Sequence, residues 1–346
     1  VITESCSKCK ADLGTAAISA TGKTYDGNGD SFNVLTLTDV NKQLDWAKTV
    51  AARFSEDPDL VVFSGDIAGS IETKADIALL FNIMGSVTGG KYPVVYTRGN
   101  LETRGIYSTA LLDYFPTKTG EFYYDFRYGP LWGVVLDTGE DKVDTHQYYG
   151  NLANFKEYHQ KQEAWLRSLE MDTTADYRLG IYHMPKLIAL SNGVDFTDSV
   201  QHLGLQFAVA GNDGKCALLD SDTCGVDYAT YISGGYSANA ATLVTLNRGD
   251  QKAYITSKTS QGAVSGGFNR YAVSFSTQVG SKPVALAEPN YGTNAQFNPT
   301  AASQGTISIT VQPTVFETGG DWYNVVWATN TTDADAKGTT GYVEYV

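Results

Sequence analysis

Six polar residues close successive apolar runs of this chain: Asp39, Asp66, Asn100, Asp137, His183 and Asn212. Carboxylates, carboxamides and an imidazole are oxygen and nitrogen donors. Gathered in one crevice, they would suit a divalent cation or a proton transfer. Taken singly, an Asp or Asn after a strand is an ordinary turn residue. Six in succession, with the histidine placed before Met-Pro, argue for a common site.

The elements that must position them follow from hydrophobic periodicity. Residues 32–40 (FNVLTLTDV), 59–67 (DLVVFSGDI) and 92–100 (YPVVYTRGN) read as strands. Between them lie NKQLDWAKTVAARF, with Leu44, Ala47, Val50, Ala51 and Phe54 at helical spacing, and the helical run TKADIALLFNIMGSV. The β-α-β-α-β rhythm predicts a parallel sheet with crossover helices, whose strand ends converge on one crevice. Further strands are expected at 131–139, 177–185, 205–213, 228–235 and 241–247, and a long helix at 154–171. From about residue 250 the segments KAYITSKT, RYAVSFST, TISITVQP, YNVVWATN and GYVEYV alternate as strands, which predicts an all-β tail.

In order along the chain, TDVN (38–41), SGDIAG (64–69), RGNLETRG (98–105), YHMP (182–185) and AGNDG (210–214) form a series. With LDTGEDK (136–142) lying inside it, this series resembles the calcineurin-like metallophosphoesterase superfamily, including purple acid phosphatases and bacterial relatives. The family's pattern is D-x-H, G-D, G-N-H-[DE], a lone His and G-H-x-H, all at strand ends. The resemblance spans roughly residues 30–255. It implies an α/β fold, a β-sheet sandwich flanked by helices, with two divalent metals about 3.5–4 Å apart that activate water and clamp phosphate.

Carried over position by position, one metal would use Asp39, the position of Asn41, the bridging Asp66 and the position of Gly214. The other would use Asp66, Asn100, His183 and the position of Asn212. The position of Leu101 would protonate or polarise the substrate. Three expected histidine ligands are thus Asn41, Asn212 and Gly214, and the catalytic histidine is Leu101. A carboxamide oxygen is a much weaker ligand than imidazole, and glycine offers no side chain. The chain holds four histidines, His146, His159, His183 and His202, and only His183 falls on a motif. The resemblance therefore implies a degenerate site without a catalytic residue. Asp39, Asp66, Asn100, His183 and Asn212 remain as a vestigial set that would hold Ca²⁺ or Mg²⁺ weakly, and no tightly bound cofactor is expected.

Other residues read more plainly. His159 sits on a helix beside polar neighbours and is expected to be solvated; His146 and His202 lie in loop-like surroundings. Trp46 and Trp165 occupy apolar helical positions and are expected in the core. Arg98 and Arg104 flank the RGNLETRG loop and either contact an anion or are solvated. The Gly-Lys and Gly-Gly stretches match neither a phosphate-binding loop nor a nucleophile elbow.

Composition sets the context. The net charge of −13 disfavours nucleic acid and anionic lipid as partners, and no apolar run approaches the roughly 18 residues of a membrane span. Cys6 and Cys9, then Cys216 and Cys224, allow two local disulfides or one four-thiolate zinc site. Disulfides fit the second spacing better and imply an oxidising compartment. Asn330-Thr331-Thr332 is a glycosylation acceptor pattern. Localisation is therefore expected to be extracellular or at the cell surface. The chain begins at Val1, as a processed form or a fragment does.

The expected organisation is an N-terminal segment (1–30) that could supply strands of an Ig-like module, then a degenerate phosphoesterase-like domain (31–255). A β-rich connector (256–304) and partial Ig-like or fibronectin-like strands (305–346) follow. A partial sandwich leaves open edges that invite another strand. One function class is a non-catalytic structural protein, a filament or surface-layer subunit assembling head-to-tail by strand complementation; the bland counterpart is a truncated chain. The alternatives are a metal-dependent phosphoester hydrolase with an unorthodox site, or a binding module for a phosphorylated or sugar ligand.

Overall fold

The computed structural model describes residue 25 and residues 29–262, except 140–141, 150–152, 189, 191, 220 and 250, together with four strands further along the chain. Cys6, Cys9, Asn330 and the segment TISITVQP lie outside the described residues.

Two mixed sheets pack face to face. The first has seven strands. At its heart are β1 (Ser31–Leu37), β2 (Leu60–Ser64) and β3 (Val94–Thr97), which run parallel. The second has six strands, beginning with β4 (Tyr124–Tyr128) and β5 (Leu131–Val135), followed by β6 (Tyr177–Ile181), β7 (Phe207–Ala210), β8 (Cys216–Leu219) and β9 (Ala229–Ser233). Here β5, β6, β7 and β9 are parallel neighbours, and β4 and β8 flank them antiparallel. The chain then returns to the first sheet. There β10 (Ala240–Asn247), β11 (Lys252–Thr259), β12 (Arg270–Ser274) and β13 (Val284–Ala285) add antiparallel strands beside β1. That sheet therefore runs past residue 255. Two last strands, β14 (Tyr323–Val326) and β15 (Tyr342–Tyr345), pair with each other.

The expected parallel sheet is thus two parallel sets in two sheets. Strands β4 and β8 were not expected from the sequence. Both sit on or beside an edge and are only half-buried, so neither carries the continuous apolar run that marks β2 and β6.

Strand alternation builds the layers. Phe32, Val34, Leu60 and Val62 of the first sheet meet Leu179, Ile181, Phe207 and Val209 of the second. The opposite faces take the helices. Leu37, Val61 and Phe63 pack under α1 (Leu44–Ala51) and α2 (Lys74–Thr88) through Val50, Ile77 and Leu80. Trp132, Val134 and Ala208 pack under α3 (Phe155–Ser168) and α4 (Thr197–Val200) through Leu166 and Val200. The result is helix, sheet, sheet, helix, with each sheet buried on both faces. Helix α2 starts where the Asp76 carboxylate accepts the Thr73 N–H at 2.9 Å, and stops at Gly89, whose φ of +59° turns the chain left-handed.

Several expectations are corrected. His159 is not solvated: it is fully buried on the inner face of α3, with Nδ1 2.6 Å from the Asn192 amide, and burial lowers its pKa. Cys216 and Cys224 do not bond to each other; Cys224 is buried, and the Cys216 thiol lies 3.7 Å from the Ser233 carbonyl. Trp46 and Trp165 pack against the core only partly buried, and the Trp46 indole N–H donates to Asn239. Of the remaining histidines, His146 accepts the Tyr148 amide and exposed His202 meets the Leu169 carbonyl. No described helix is long and apolar enough to cross a membrane.

Leu179 lies at the centre of the contact between the sheets. Truncation there removes apolar contact and leaves a cavity, so Leu179→Ala is expected to cost about 2–5 kcal/mol in urea denaturation.

Candidate functional site

The parallel strands of both sheets end on one rim, and the turns leaving them carry the polar residues. Backbone geometry there is unusual: Asp39, Asn41, Lys42, Asp66 and Asn212 all have φ between +46° and +69°. Four of the five are Asp or Asn, which tolerate the left-handed region better than other residues bearing a Cβ. The strained turns interlock, because the Asp39 amide donates to Gly65 O and the Asn41 amide to Asp66 O, each at 2.9 Å.

Three side chains meet at the centre. One ligand atom from each of Asp39, Asp66 and His183 lies within 4.8 Å of the others. His183 is fully buried, with Nδ1 2.7 Å from the Ser64 carbonyl and Nε2 3.6 Å from an Asp66 oxygen. The second distance is too long for a hydrogen bond yet short enough for strong attraction. Gly65 makes room, since a Cβ there would collide with the imidazole. Asp66 also accepts the Leu101 amide at 2.8 Å, while Asp39 accepts the Thr38 hydroxyl and the Asn212 amide.

Beneath this cluster sits Glu102, also fully buried. Its carboxylate accepts the amides of Asp66, Gly99 and Ala68 at 2.7–2.8 Å. Gly99 is fixed by proximity, because a Cβ there would strike the Asp66 carboxylate. To one side, buried Arg98 pairs with Asp137 at 2.7 Å, lies over the Phe122 ring and shares its carboxylate partner with Tyr158. Arg98 is therefore neither solvated nor open to an anion, and Arg104 lies against Tyr148.

The vestigial set is thus gathered only in part. Asp39, Asp66 and His183 converge, and the buried Asn100 Oδ1 has no hydrogen-bond partner among the described residues, as is true of His183 Nε2. The Asn212 side chain is exposed, so only its amide joins the site. Asn41 turns its amide back to the Asp39 carbonyl at 3.1 Å, and Gly214 brings no donor atom. These residues do not fit a two-metal centre. They fit at most one cation, through Asp39, Asp66, His183 and Asn100. Glu102 fills the acidic place of the G-N-H-[DE] pattern, so its type and position were visible, but its three amide partners depend on how two loops meet.

No protein-family model matches the sequence, and no curated protein is significantly similar to it. Solved structures do match. A purple acid phosphatase from yellow lupin (Lupinus luteus) seeds aligns with a TM-score of 0.50 and 13% identity over 72% of this chain and 55% of its own. The fold is that of a metallophosphoesterase. The chain spans little more than half of the lupin enzyme's length. PhoD aligns at 10% identity and a TM-score of 0.45, over 78% of this chain and 73% of its own. GAP50, described as the anchor in the inner membrane complex of Plasmodium, aligns at 13% identity and 0.48, over 73% and 90%. At these identities the likeness concerns the metallophosphoesterase fold alone.

Protonation at the cluster has a definite sign. Burial works against charge on His183, but Asp66, Asp39 and the Ser64 carbonyl outweigh it and carry its pKa from 6.5 to about 9. Burial, then the nearby Asp66 charge, raises Glu102 from 4.5 to about 7. Both groups hold protons in the folded state that the unfolded chain has released. Each contribution is thus complete below the unfolded pKa and is lost as pH rises through the folded one. Denaturation midpoints are expected to fall between about pH 5 and about pH 9 from these groups, and His183→Asn should flatten the upper part of that slope.

Proposed function

We propose that this chain is a non-catalytic protein built on a metallophosphoesterase scaffold, acting structurally at the cell surface or outside the cell. The observation that carries this reading is the donor set. Two-metal hydrolysis needs ligands on both sides of a bridging carboxylate and a group to meet the substrate. Here Asn41 bonds its own turn, Gly214 has no side chain, and Leu101 supplies only an amide, which occupies an Asp66 oxygen. The resulting hydrogen bonds make the strand ends a fastening.

The close spacing of Cys6 and Cys9, which would allow a local disulfide, and the acceptor pattern at Asn330 support the extracellular placement. Self-association through the C-terminal strands, giving a homo-oligomer or filament, is supported by their alternating sequence and by β14 and β15 pairing with each other as a small sheet.

A second reading, in which the cluster holds a single hard cation without turnover, is favoured by the buried Asn100 Oδ1, which has no hydrogen-bond partner among the described residues, beside Asp39, Asp66 and His183.

Elemental analysis of native protein beside an aryl-phosphate assay tests the main reading. The expected result is no turnover above background and no stoichiometric metal. Two transition metals per chain, with turnover abolished by Asp66→Ala, would overturn it. One calcium or magnesium per chain without turnover would establish the second reading. Negative-stain microscopy tests the assembly: filaments or ordered oligomers are expected, and a monodisperse monomer over a wide concentration range would refute it.

A further inference from the structure

A groove of about 810 Å³ opens along the flank of the sandwich, where the last strand of one sheet, β3, stands beside the outermost strand of the other, β4. Phe81 and Met84 of α2, Val94 and Tyr96 of β3, Phe115, and Tyr124 of β4 line it. It shares no lining residue with the strand-end cluster. Val94 is 39% exposed, although it belongs to a strand that is otherwise buried. One polar device already guards the groove: the Tyr124 hydroxyl donates to the Tyr96 carbonyl at 2.8 Å and lies 3.4 Å from the Tyr96 amide.

We propose that residues 13–20 of this same chain, Leu-Gly-Thr-Ala-Ala-Ile-Ser-Ala, dock in this groove. The argument starts from where the described chain begins. The Tyr25 amide donates to the Tyr128 hydroxyl at 3.0 Å, and its ring packs 5.4 Å from that of Phe32. Tyr128 is the final residue of β4, and Tyr124 and Phe126 of that strand line the groove. The chain N-terminal to Tyr25 thus leaves from one end of the strand whose other end forms a groove wall. Four residues of strand cover about 14 Å, so four or five extended residues before Tyr25 span that distance. On the proposed path along β4, residues 13–20 come level with the groove, and the 24 residues ahead of Tyr25 are enough to supply it.

The chemistry of this stretch is compatible with the groove. In a chain with 38 acidic residues, residues 13–20 carry no charge, so placing them against aromatic and aliphatic walls desolvates no ion. Leu13 and Ile18 bring apolar bulk, and Ala16, Ala17 and Ala20 let the backbone come close.

Photo-crosslinking of the full-length chain tests this. Benzoylphenylalanine is placed at Val94 in one variant and at rim residue Thr117 in a second, so that failure of the Val94 variant to fold does not end the test. Circular dichroism melting verifies each variant. After irradiation at low protein concentration, peptide mapping is expected to find adducts within residues 13–20 on species of monomer mass. Ile18→Asp should reduce their yield at least about tenfold while leaving the melting midpoint unchanged. Adducts with residues 263–346, adducts at dimer mass from a second copy, or folded variants with no protein adduct would each overturn the proposal.

Discussion

Glu102 accepts hydrogen bonds from the amides of Asp66, Ala68 and Gly99, and those three bonds join the loop after β2 to the loop after β3. The turn at Asp66 positions the carboxylate that faces His183, and the same turn receives the amide of Asn41. A buried carboxylate with three amide donors is therefore the fastening on which the rim depends. Amide donors favour its ionised form, while burial and the neighbouring Asp66 oppose it. Three buried carboxylates, Asp39, Asp66 and Glu102, surround one imidazole, so this pocket favours positive charge. A protonated His183 supplies that charge. It also occupies the nitrogen that a metal ion would need, which sets proton and cation in competition for one position.

Much of this arrangement was legible as order and spacing. The runs ending at Asp39, Asp66 and His183 read as strands, and their polar ends do converge. The two-sheet architecture followed from the resemblance, whereas periodicity alone suggested one parallel sheet. Periodicity reports which residues are buried, and it is silent on which strands pair. The same limit explains His159. Its helical neighbours are polar, but Asn192 arrives from a distant loop to meet the ring, and no local pattern records that. Arg98 follows the same rule: a charged residue flanking a turn usually faces water, and here Asp137, in the loop after β5, neutralises it.

The departures at Asn41, Leu101, Asn212 and Gly214 have a common structural outcome. Backbone amides and carbonyls of these turns keep their roles: Asn41, Leu101 and Asn212 each donate a main-chain N–H to a neighbouring strand end or carboxylate. The loops are held together at these positions by main-chain groups. The left-handed turns favour Asp, Asn and Gly on conformational grounds alone, although Lys42 adopts the same region.

The hydroxyl of Tyr124 has a consequence for the molecule's sociability. By engaging both backbone groups of Tyr96 it does with one side chain what an additional strand would otherwise do. An uncapped β3 would be a template for sideways growth of the sheet from molecule to molecule. With those two groups engaged, edge-to-edge pairing is discouraged along this flank of the first sheet.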